Sequence, residues 1–169
     1  MKKIRTVAVD RDPASVFAFL ARIENEALWR SSVTESSYEG AGGGDYAKME
    51  PAVGLSGWTR ANLAGRTIRL RWKIAAVEAG EYLAWRFDGQ PWQGGGSYRI
   101  EPCGTGSKIT AALVIRGRGA AAALEPLLAL RMGRGLHADL DRLVDVLSGG
   151  PRRRQTPVAQ MTQDALPSA

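Results

Sequence analysis

Cysteine, histidine and long apolar runs are almost absent from this chain of 169 residues. Its one cysteine, Cys103, excludes an intramolecular disulfide, and its one histidine, His137, leaves too few ligands for a Cys/His zinc site. No apolar run approaches the roughly 20 residues of a transmembrane helix, and the N-terminus has no apolar signal-peptide core. We therefore expect a cytoplasmic protein with no membrane span and no metal.

The sequence also lacks the motifs of common catalytic and nucleotide sites. It contains no Gly-Xaa-Ser-Xaa-Gly nucleophile elbow and no phosphate-cradling loop. The glycine clusters at residues 42–44 and 94–96 precede no helix, so we interpret both as hairpin turns. We expect no cofactor.

The charge is basic but spread along the chain. The net charge of +6 divides into +2 from Gly149 onward and +4 over the rest. Such a spread excess favours solubility over a stripe that follows phosphates, so we expect no nucleic-acid partner. Arg69, Arg71, Lys73, Arg86 and Arg99 fall on the polar faces of neighbouring predicted strands, which is typical of a solvated convex face.

Helical segments flank a long region of alternating residues. Residues 3–9 predict a strand, Asp12 and Pro13 open a helix, and a second short helical stretch runs over residues 23–29. Between residues 31 and 116 the apolar period is two, which predicts six further strands: 33–39, 46–50 with its continuation at 58–62, 67–76, 81–88, 98–100 and 109–115. Short connections between them predict an antiparallel meander.

The last element is a long amphipathic helix. Its apolar residues recur every three or four positions and form one stripe: Leu124, Leu128, Met132, Leu136, Leu140, Leu143 and Leu147. Pro126 is tolerated only in a first turn, so the regular helix should begin near Leu124. Gly149 and the residues after it should end the helix, and we expect residues 149–169 to be a disordered tail.

These elements, in this order, predict an α+β domain over residues 1–148. A curved seven-stranded antiparallel sheet, with two short helices after its first strand, would wrap around the long C-terminal helix, because each buries its one apolar face against the other.

Four segments carry a resemblance to a known family. PASVFAFL at 13–20 resembles the opening helix and IENEALW at 23–29 the second helix of the polyketide cyclase/dehydrase branch of the START and birch-pollen-allergen (SRPBCC) superfamily. AVEAGEYLAW at 76–85 is similar to its strand–turn–strand, and SYRIEPCGTGSKIT at 97–110 to its glycine-turned hairpin. The resemblance implies the helix-grip fold. The stretch 51–65 is longer than the family hairpin, so the strand register there stays open.

Aromatic residues on the apolar faces of the strands are the candidate ligand-binding residues. Such rings either interlock in a solid core or line an apolar cavity. In the cavity interpretation the walls comprise strand residues and two helix residues opposite them, with two further tryptophans at the entrance. The full set is Trp29, Trp58, Trp72, Trp85, Phe87, Met132 and Gly133.

Tyr98 and His137 are the candidate proton donors or acceptors, and a boundary or surface position is the alternative for His137. The resemblance implies binding of a small hydrophobic, ring-containing or polyketide-like molecule, with possible cyclisation or dehydration. The alternatives are a non-catalytic carrier or sensor of a hydrophobic metabolite and, third, an interaction module that uses the basic convex face. We expect a monomer or a homodimer.

Overall fold

The structure, a computed structural model, describes residues 1–39, 50–63, 65–89 and 91–149. In chain order the elements are β1 (Lys2–Val9), α1 (Pro13–Ala21), a 3₁₀ turn (Ile23–Asn25), α2 (Glu26–Trp29), β2 (Val33–Tyr38), β3 (Ser56–Leu63), β4 (Arg66–Glu78), β5 (Tyr82–Asp88), β6 (Trp92–Cys103), β7 (Gly106–Gly117), a second 3₁₀ turn (Gly119–Leu124) and α3 (Glu125–Leu147). The predicted strand at 46–50 lies outside the described residues except for Glu50. The predicted tail lies outside them except for Gly149.

The seven strands form one antiparallel sheet in the order β1-β7-β6-β5-β4-β3-β2. The predicted α+β helix-grip architecture is confirmed, because α1, α2 and α3 lie on one face of this sheet and leave the other face uncovered by any described helix. We call the helix-covered face concave and the opposite face convex. The register that the sequence left open runs from Ser56↔Lys73 to Leu63↔Arg66 between β3 and β4.

Local signals place the helix ends where the sequence predicts them. The Asp12 carboxylate accepts a hydrogen bond from the Ser15 N–H at 2.9 Å, and hydrogen bonding from the Ser15 side chain and from this N–H lowers the pKa of Asp12. Pro126 lies in the first turn of α3, where its missing N–H breaks no helical hydrogen bond. Past Leu147 the chain turns away at Gly149, whose φ of +76° suits glycine best.

The predicted turn at residues 94–96 is wrong. These three glycines lie inside β6, paired with β5 on one side and with β7 on the other. A Cβ built on Gly96 would lie 2.4 Å from the Trp85 ring, and one built on Gly94 would lie 2.1 Å from the Val114 carbonyl oxygen. The glycines are therefore required by close packing within the strand.

The predicted helix stripe is confirmed from Met132, which packs against the second group of apolar residues, to the end of α3, and the Leu128 side chain lies outside the described part of the structure. Leu140, Leu143 and Leu147 are fully buried, and Leu136 packs against the same cluster. Leu124, at the N-terminal end of the predicted stripe, is 56% exposed. The helix therefore holds the domain together through its second half, where it packs along β1, β7 and α2.

Strand β4 bends the sheet because it serves two partners in succession. Its residues from Arg66 to Lys73 pair with β3, and those from Lys73 to Glu78 pair with β5, with a bulge between Ile74 and Ala76. Lys73 is the one residue of β4 that pairs on both sides.

Candidate functional site

Two apolar clusters line the concave face. The first joins the C-terminal half of α3 to α1, α2 and strands β6 and β7, and it includes Trp29 and Tyr98. The second lies on β2, β4, β5 and β7 and includes Trp72 and Phe87. Trp85 and Phe17 pack against both clusters, so the two clusters form one continuous apolar layer on the concave face.

Two tryptophan rings on the concave face lie against a glycine of the neighbouring strand. The Trp72 ring occupies the place of a Cβ at Gly57, and the Trp85 ring that of a Cβ at Gly96. The rings therefore lie down on the sheet instead of standing across the space toward α3. Trp72 is fixed further by a hydrogen bond from its Nε1 to Thr59 Oγ1 at 3.0 Å and by an edge contact with Tyr38.

Tyr98 occupies the centre of the concave face. Its ring packs on Trp85, with centroids 4.9 Å apart, and meets Trp29 edge-on at 6.0 Å. Burial raises the pKa of Tyr98 far above its usual range; the Arg30 cation opposes this shift, and the carboxylates of Glu26 and Asp139 add to it. The phenol therefore stays protonated at neutral pH and can donate a hydrogen bond.

A buried ionic network lies beside Tyr98, centred on Glu26. The Glu26 carboxylate accepts hydrogen bonds from Arg30 Nη1 at 2.7 Å, from Ser36 Oγ at 2.9 Å and from Thr59 Oγ1 at 3.2 Å. Burial alone would lower the pKa of Arg30, but the attraction of Glu26, Tyr98 and Asp139 together, with the hydrogen bond to Glu26, outweighs burial and raises that pKa. Arg30 therefore remains charged within the fold.

The network reaches α3 through Asp139, which is 9% exposed. Its Oδ1 accepts hydrogen bonds from the Ser31 N–H at 2.9 Å and from Ser31 Oγ at 2.8 Å. Glu26, Arg30 and Asp139 thus surround Tyr98 with charge at one end of the apolar space.

Sequence reasoning missed this network. Glu26 and Arg30 stand four residues apart on α2, the spacing of a helical ion pair. Ser36 and Thr59 are polar at inward-facing strand positions, which is a signal of a buried polar site. Neither signal identifies the partner, because Glu26 and Thr59 are brought together only by the strand pairing.

The other predicted ligand-binding residues divide into three groups. Trp72, Trp85, Phe87 and Met132 belong to or pack against the second cluster. Trp29 is fully buried in the first cluster and does not form an entrance rim. Trp58 and Gly133 do not face the space between sheet and helix.

Trp58 lies on the convex face because it is one residue out of phase with Gly57 and Thr59. The Arg69 guanidinium lies 4.1 Å and that of Arg60 5.6 Å from the Trp58 ring. Gly133 faces the edge strand β1: a Cβ there would lie 3.5 Å from Lys3 Cε. The expected juxtaposition of Gly133 and tryptophan is therefore wrong, since α3 runs along β1 and not over β4 and β5.

His137 does not approach Tyr98, because it follows Leu136 by one residue and is turned to the exposed side of α3. Its Nδ1 lies 2.7 Å from the Gly133 carbonyl oxygen, and its own carbonyl oxygen accepts a hydrogen bond from Arg5. His137 therefore lies apart from Tyr98, in the surface position that the sequence left as its alternative.

Several concave-facing apolar side chains are only partly buried although they lie under the helices or within the second cluster. Leu70 and Val77 of β4, Trp85 of β5, Leu113 of β7 and Met132 of α3 have this character. Their residual exposure means that the described residues do not cover these side chains completely.

Within the described ranges, no group of three or more His, Cys, Asp and Glu side chains is arranged to hold a metal ion. The helices described for this chain include none that is both long and apolar enough to cross a bilayer.

One family model matches residues 2–148 of this chain. Its description is polyketide cyclase/dehydrase and lipid transport. No curated protein matches.

Solved structures with the same fold share little sequence with this chain. A START superfamily protein from Mycobacterium smegmatis has a TM-score of 0.71 at 10% identity, with 88% of this chain and 97% of that chain covered. The di-domain ARO/CYC protein BexL of the BE-7585A biosynthetic pathway has a TM-score of 0.59 at 11% identity, with 89% of this chain and 46% of that chain covered. The Aha1 dimer from Colwellia psychrerythraea has a TM-score of 0.61 at 13% identity, with 89% of this chain and 98% of that chain covered. At these identities the likeness is one of fold.

Proposed function

Because the chain belongs to the polyketide cyclase/dehydrase and lipid-transport family, we propose that it binds a small hydrophobic, ring-containing molecule between the concave face of the sheet and α3. The observation that carries the proposal is Trp85, a ring that lies flat on Gly96 in the interior, joins both clusters and yet stays only partly buried. A ligand ring stacked there would bury aromatic surface on both partners.

The polar end of the same space orients the ligand. Tyr98 stays protonated, so its O–H donates to a carbonyl oxygen of the bound molecule. Arg30 adds positive charge on that side, where negative charge would develop on the oxygen. The apolar walls hold the rest of the molecule folded, which brings its reacting carbons together.

In the catalytic form of the proposal, the ligand is a polyketone-like chain. A water molecule takes the proton from the carbon beside the carbonyl that Tyr98 polarises, which gives an enolate hydrogen-bonded to the Tyr98 O–H. The enolate carbon attacks a second carbonyl to form the ring bond, and the resulting alkoxide takes a proton from the hydronium ion. The hydroxyl so formed then leaves as water together with a proton from the neighbouring carbon, which gives a carbon–carbon double bond. Tyr98 is the donor to the carbonyl oxygen. The protein would thereby act as a cyclase or dehydrase.

A specific observation favours a non-catalytic carrier as the second candidate. Both oxygens of Glu26 and the Oδ1 of Asp139 already accept hydrogen bonds from the protein, so these three atoms are engaged and do not face the ligand as free acceptors of a proton. Tyr98→Phe separates the two candidates. In a cyclase it lowers turnover by about 100-fold with ligand affinity changed only a few-fold, whereas in a carrier there is no turnover to lower.

Binding itself is tested by filling the space. Leu113 and Ala112 are neighbours on β7, with Leu113 on the concave face and Ala112 paired with Ile4 and Ser97 on the convex face. We expect aromatic polyketide-like compounds to raise the melting temperature of the wild type and of Ala112→Trp, and to leave that of Leu113→Trp unchanged. A wild-type protein that responds to no compound, with Leu113→Trp destabilised by overpacking, would contradict the proposal.

A further inference from the structure

Strand β4 has an inner edge on which no described strand is paired. Its contacts with β5 end at Lys73↔Arg86, although β5 continues to Asp88 and β4 begins at Arg66. Over Arg66–Trp72 the strand pairs with β3 alone among the described residues. We call this stretch the β4 inner edge. The sheet forks beside it, since Phe87 and Asp88 pair with β6 and not with β4.

The backbone groups along the β4 inner edge follow from the alternation of an antiparallel ladder. Ile74 directs its N–H and its carbonyl oxygen toward β3, where they bond to Leu55 and Gly54. Residues an odd number of positions away direct theirs to the other side. The N–H and carbonyl groups of Thr67, Arg69 and Arg71 therefore point out of the β4 inner edge.

The side chains beside this edge are basic on the convex face. A cleft of about 520 Å³ lies in the fork and is lined by Arg71, Lys73 and Arg86 together with two acids and Ser56, Trp72 and Phe87. The acids are engaged: Glu39 Oε1 lies 2.7 Å from Arg71 Nε, and Asp88 Oδ1 lies 2.9 Å from Arg118 Nη2. Lys73 and Arg86 are directly opposed across the strands, and neither has a carboxylate partner among the described residues. Like charges so placed repel each other.

The concave side of the same edge is apolar. Ile68 is 38% exposed and Leu70 is partly buried, and both alternate with Arg69 and Arg71. A strand added here would meet cations with one set of its side chains and apolar surface with the other.

We propose that the β4 inner edge is a docking site for an extended segment of a partner protein in which acidic and apolar residues alternate. The segment adds to the sheet as an antiparallel strand, with its backbone bonded to Thr67, Arg69 and Arg71 and its carboxylates beside Arg69, Arg71, Lys73 and Arg86. A peptide supplies both the donors and the acceptors that the edge requires. A nucleic acid supplies phosphate acceptors but no matching row of donors.

The test uses a fluorescently labelled peptide of alternating glutamate and valine, with anisotropy measured against the full-length protein at low and moderate salt. Arg69→Pro and Arg69→Ala form a matched pair: both lose the cation, but only the proline loses the outward N–H, and it breaks no bond to β3. We expect binding by the wild type and by Arg69→Ala, with Arg69→Pro at least tenfold weaker than Arg69→Ala. At low salt, the single variant Lys73→Glu is expected to bind the peptide more weakly than the wild type.

Hydrogen exchange of the wild type supplies a readout that does not depend on variants. On peptide addition the amides of Thr67, Arg69 and Arg71 should become protected, while those of Ile68 and Leu70, bonded to β3, should not change. Equal affinity of Arg69→Pro and Arg69→Ala overturns the proposal. The proposal is also overturned if a peptide with its glutamates in one block, or a single-stranded oligonucleotide, binds as tightly as the alternating peptide. Either result would describe a basic surface without strand addition.

Discussion

Glu26 shows how one buried residue ties three parts of the fold together. Its carboxylate bonds to Arg30 on its own helix, to Ser36 on β2 and to Thr59 on β3. Thr59 in turn receives the Trp72 indole N–H, so the ionic network also fixes a ring of the apolar site. Tyr98 obtains its polar surroundings from the same network.

Removing one member of the Glu26–Arg30 pair should be costly. Arg30→Met leaves the buried Glu26 carboxylate without its cation and should lower the free energy of unfolding by roughly 3–5 kcal/mol. Glu26→Leu leaves a guanidinium that is only partly buried without its carboxylate and should cost less, roughly 1–3 kcal/mol. Glu26→Leu with Arg30→Met leaves no unpaired charge, so the double variant should lose much less than the sum. Urea unfolding of all four proteins measures this coupling. Additive losses would mean that the two side chains stabilise the fold independently.

Tyr38 should make the free energy of unfolding depend on pH in the alkaline range. Burial, with the nearby carboxylates of Glu24 and Glu26, raises the pKa of Tyr38 from 10.0 to about 12, and its hydroxyl donates to the Ala21 carbonyl at 2.9 Å. Between these values the unfolded chain loses the phenol proton while the folded chain keeps it. The free energy of unfolding should therefore fall above about pH 10, by up to about 1.4 kcal/mol per pH unit from this group.

Urea unfolding of the wild type and of Tyr38→Phe, at about pH 8 and about pH 11.5, measures the share of Tyr38 in that loss. The wild type should lose more stability than Tyr38→Phe between the two pH values. Equal losses would show that the Tyr38 phenol does not contribute.

At the scale of elements, α3 has two halves with different roles. Leu140 and Leu143 are completely buried, whereas Leu124 at the start of the helix is 56% exposed and Leu127 is 71% exposed. The C-terminal half therefore anchors the helix to the sheet, whereas Leu124 and Leu127 at the N-terminal end do not contribute to this anchor.

Leucine-to-alanine substitutions along α3 should separate its two halves. Leu140→Ala and Leu143→Ala should each lower the free energy of unfolding by roughly 2–5 kcal/mol, because each opens a cavity in the first cluster. Leu124→Ala, the matched exposed control, should change it by less than about 0.5 kcal/mol. Denaturant unfolding curves give all three values. A large loss for Leu124→Ala would mean that the N-terminal half is also an anchor.

The elements were predictable where one local rule decides them. Alternation in β4, the Asp12 cap and Pro126 each define a boundary or a face without reference to the rest of the chain. The three consecutive glycines at 94–96 do not define a boundary in this way, because they suit a turn as well as a strand that must accept the Trp85 ring. Gly133 was misassigned because the path of α3 along β1 is set by packing. The Glu26 network was missed because its members meet only after the sheet has formed.

For the whole molecule, the sheet is a curved surface with a different use for each face. The concave face carries flattened rings, partly buried apolar side chains and one polar end at Tyr98. The convex face carries cations. At the fork between β4 and β5, the β4 inner edge is not paired with any described strand. The function in the family's range that best suits the concave face is binding of an apolar molecule, and this depends on unfilled volume.

Xenon binding tests that central claim without knowledge of the ligand, because xenon enters dry apolar cavities. Methyl spectra of the wild-type protein are recorded under increasing xenon pressure. The account predicts saturable shifts for inward-facing methyl groups of Leu70, Leu113 and Met132, with none for Ile4 and Ala112 on the convex face. Inward-facing methyl groups that respond no more than the convex ones would show a filled core and contradict the account.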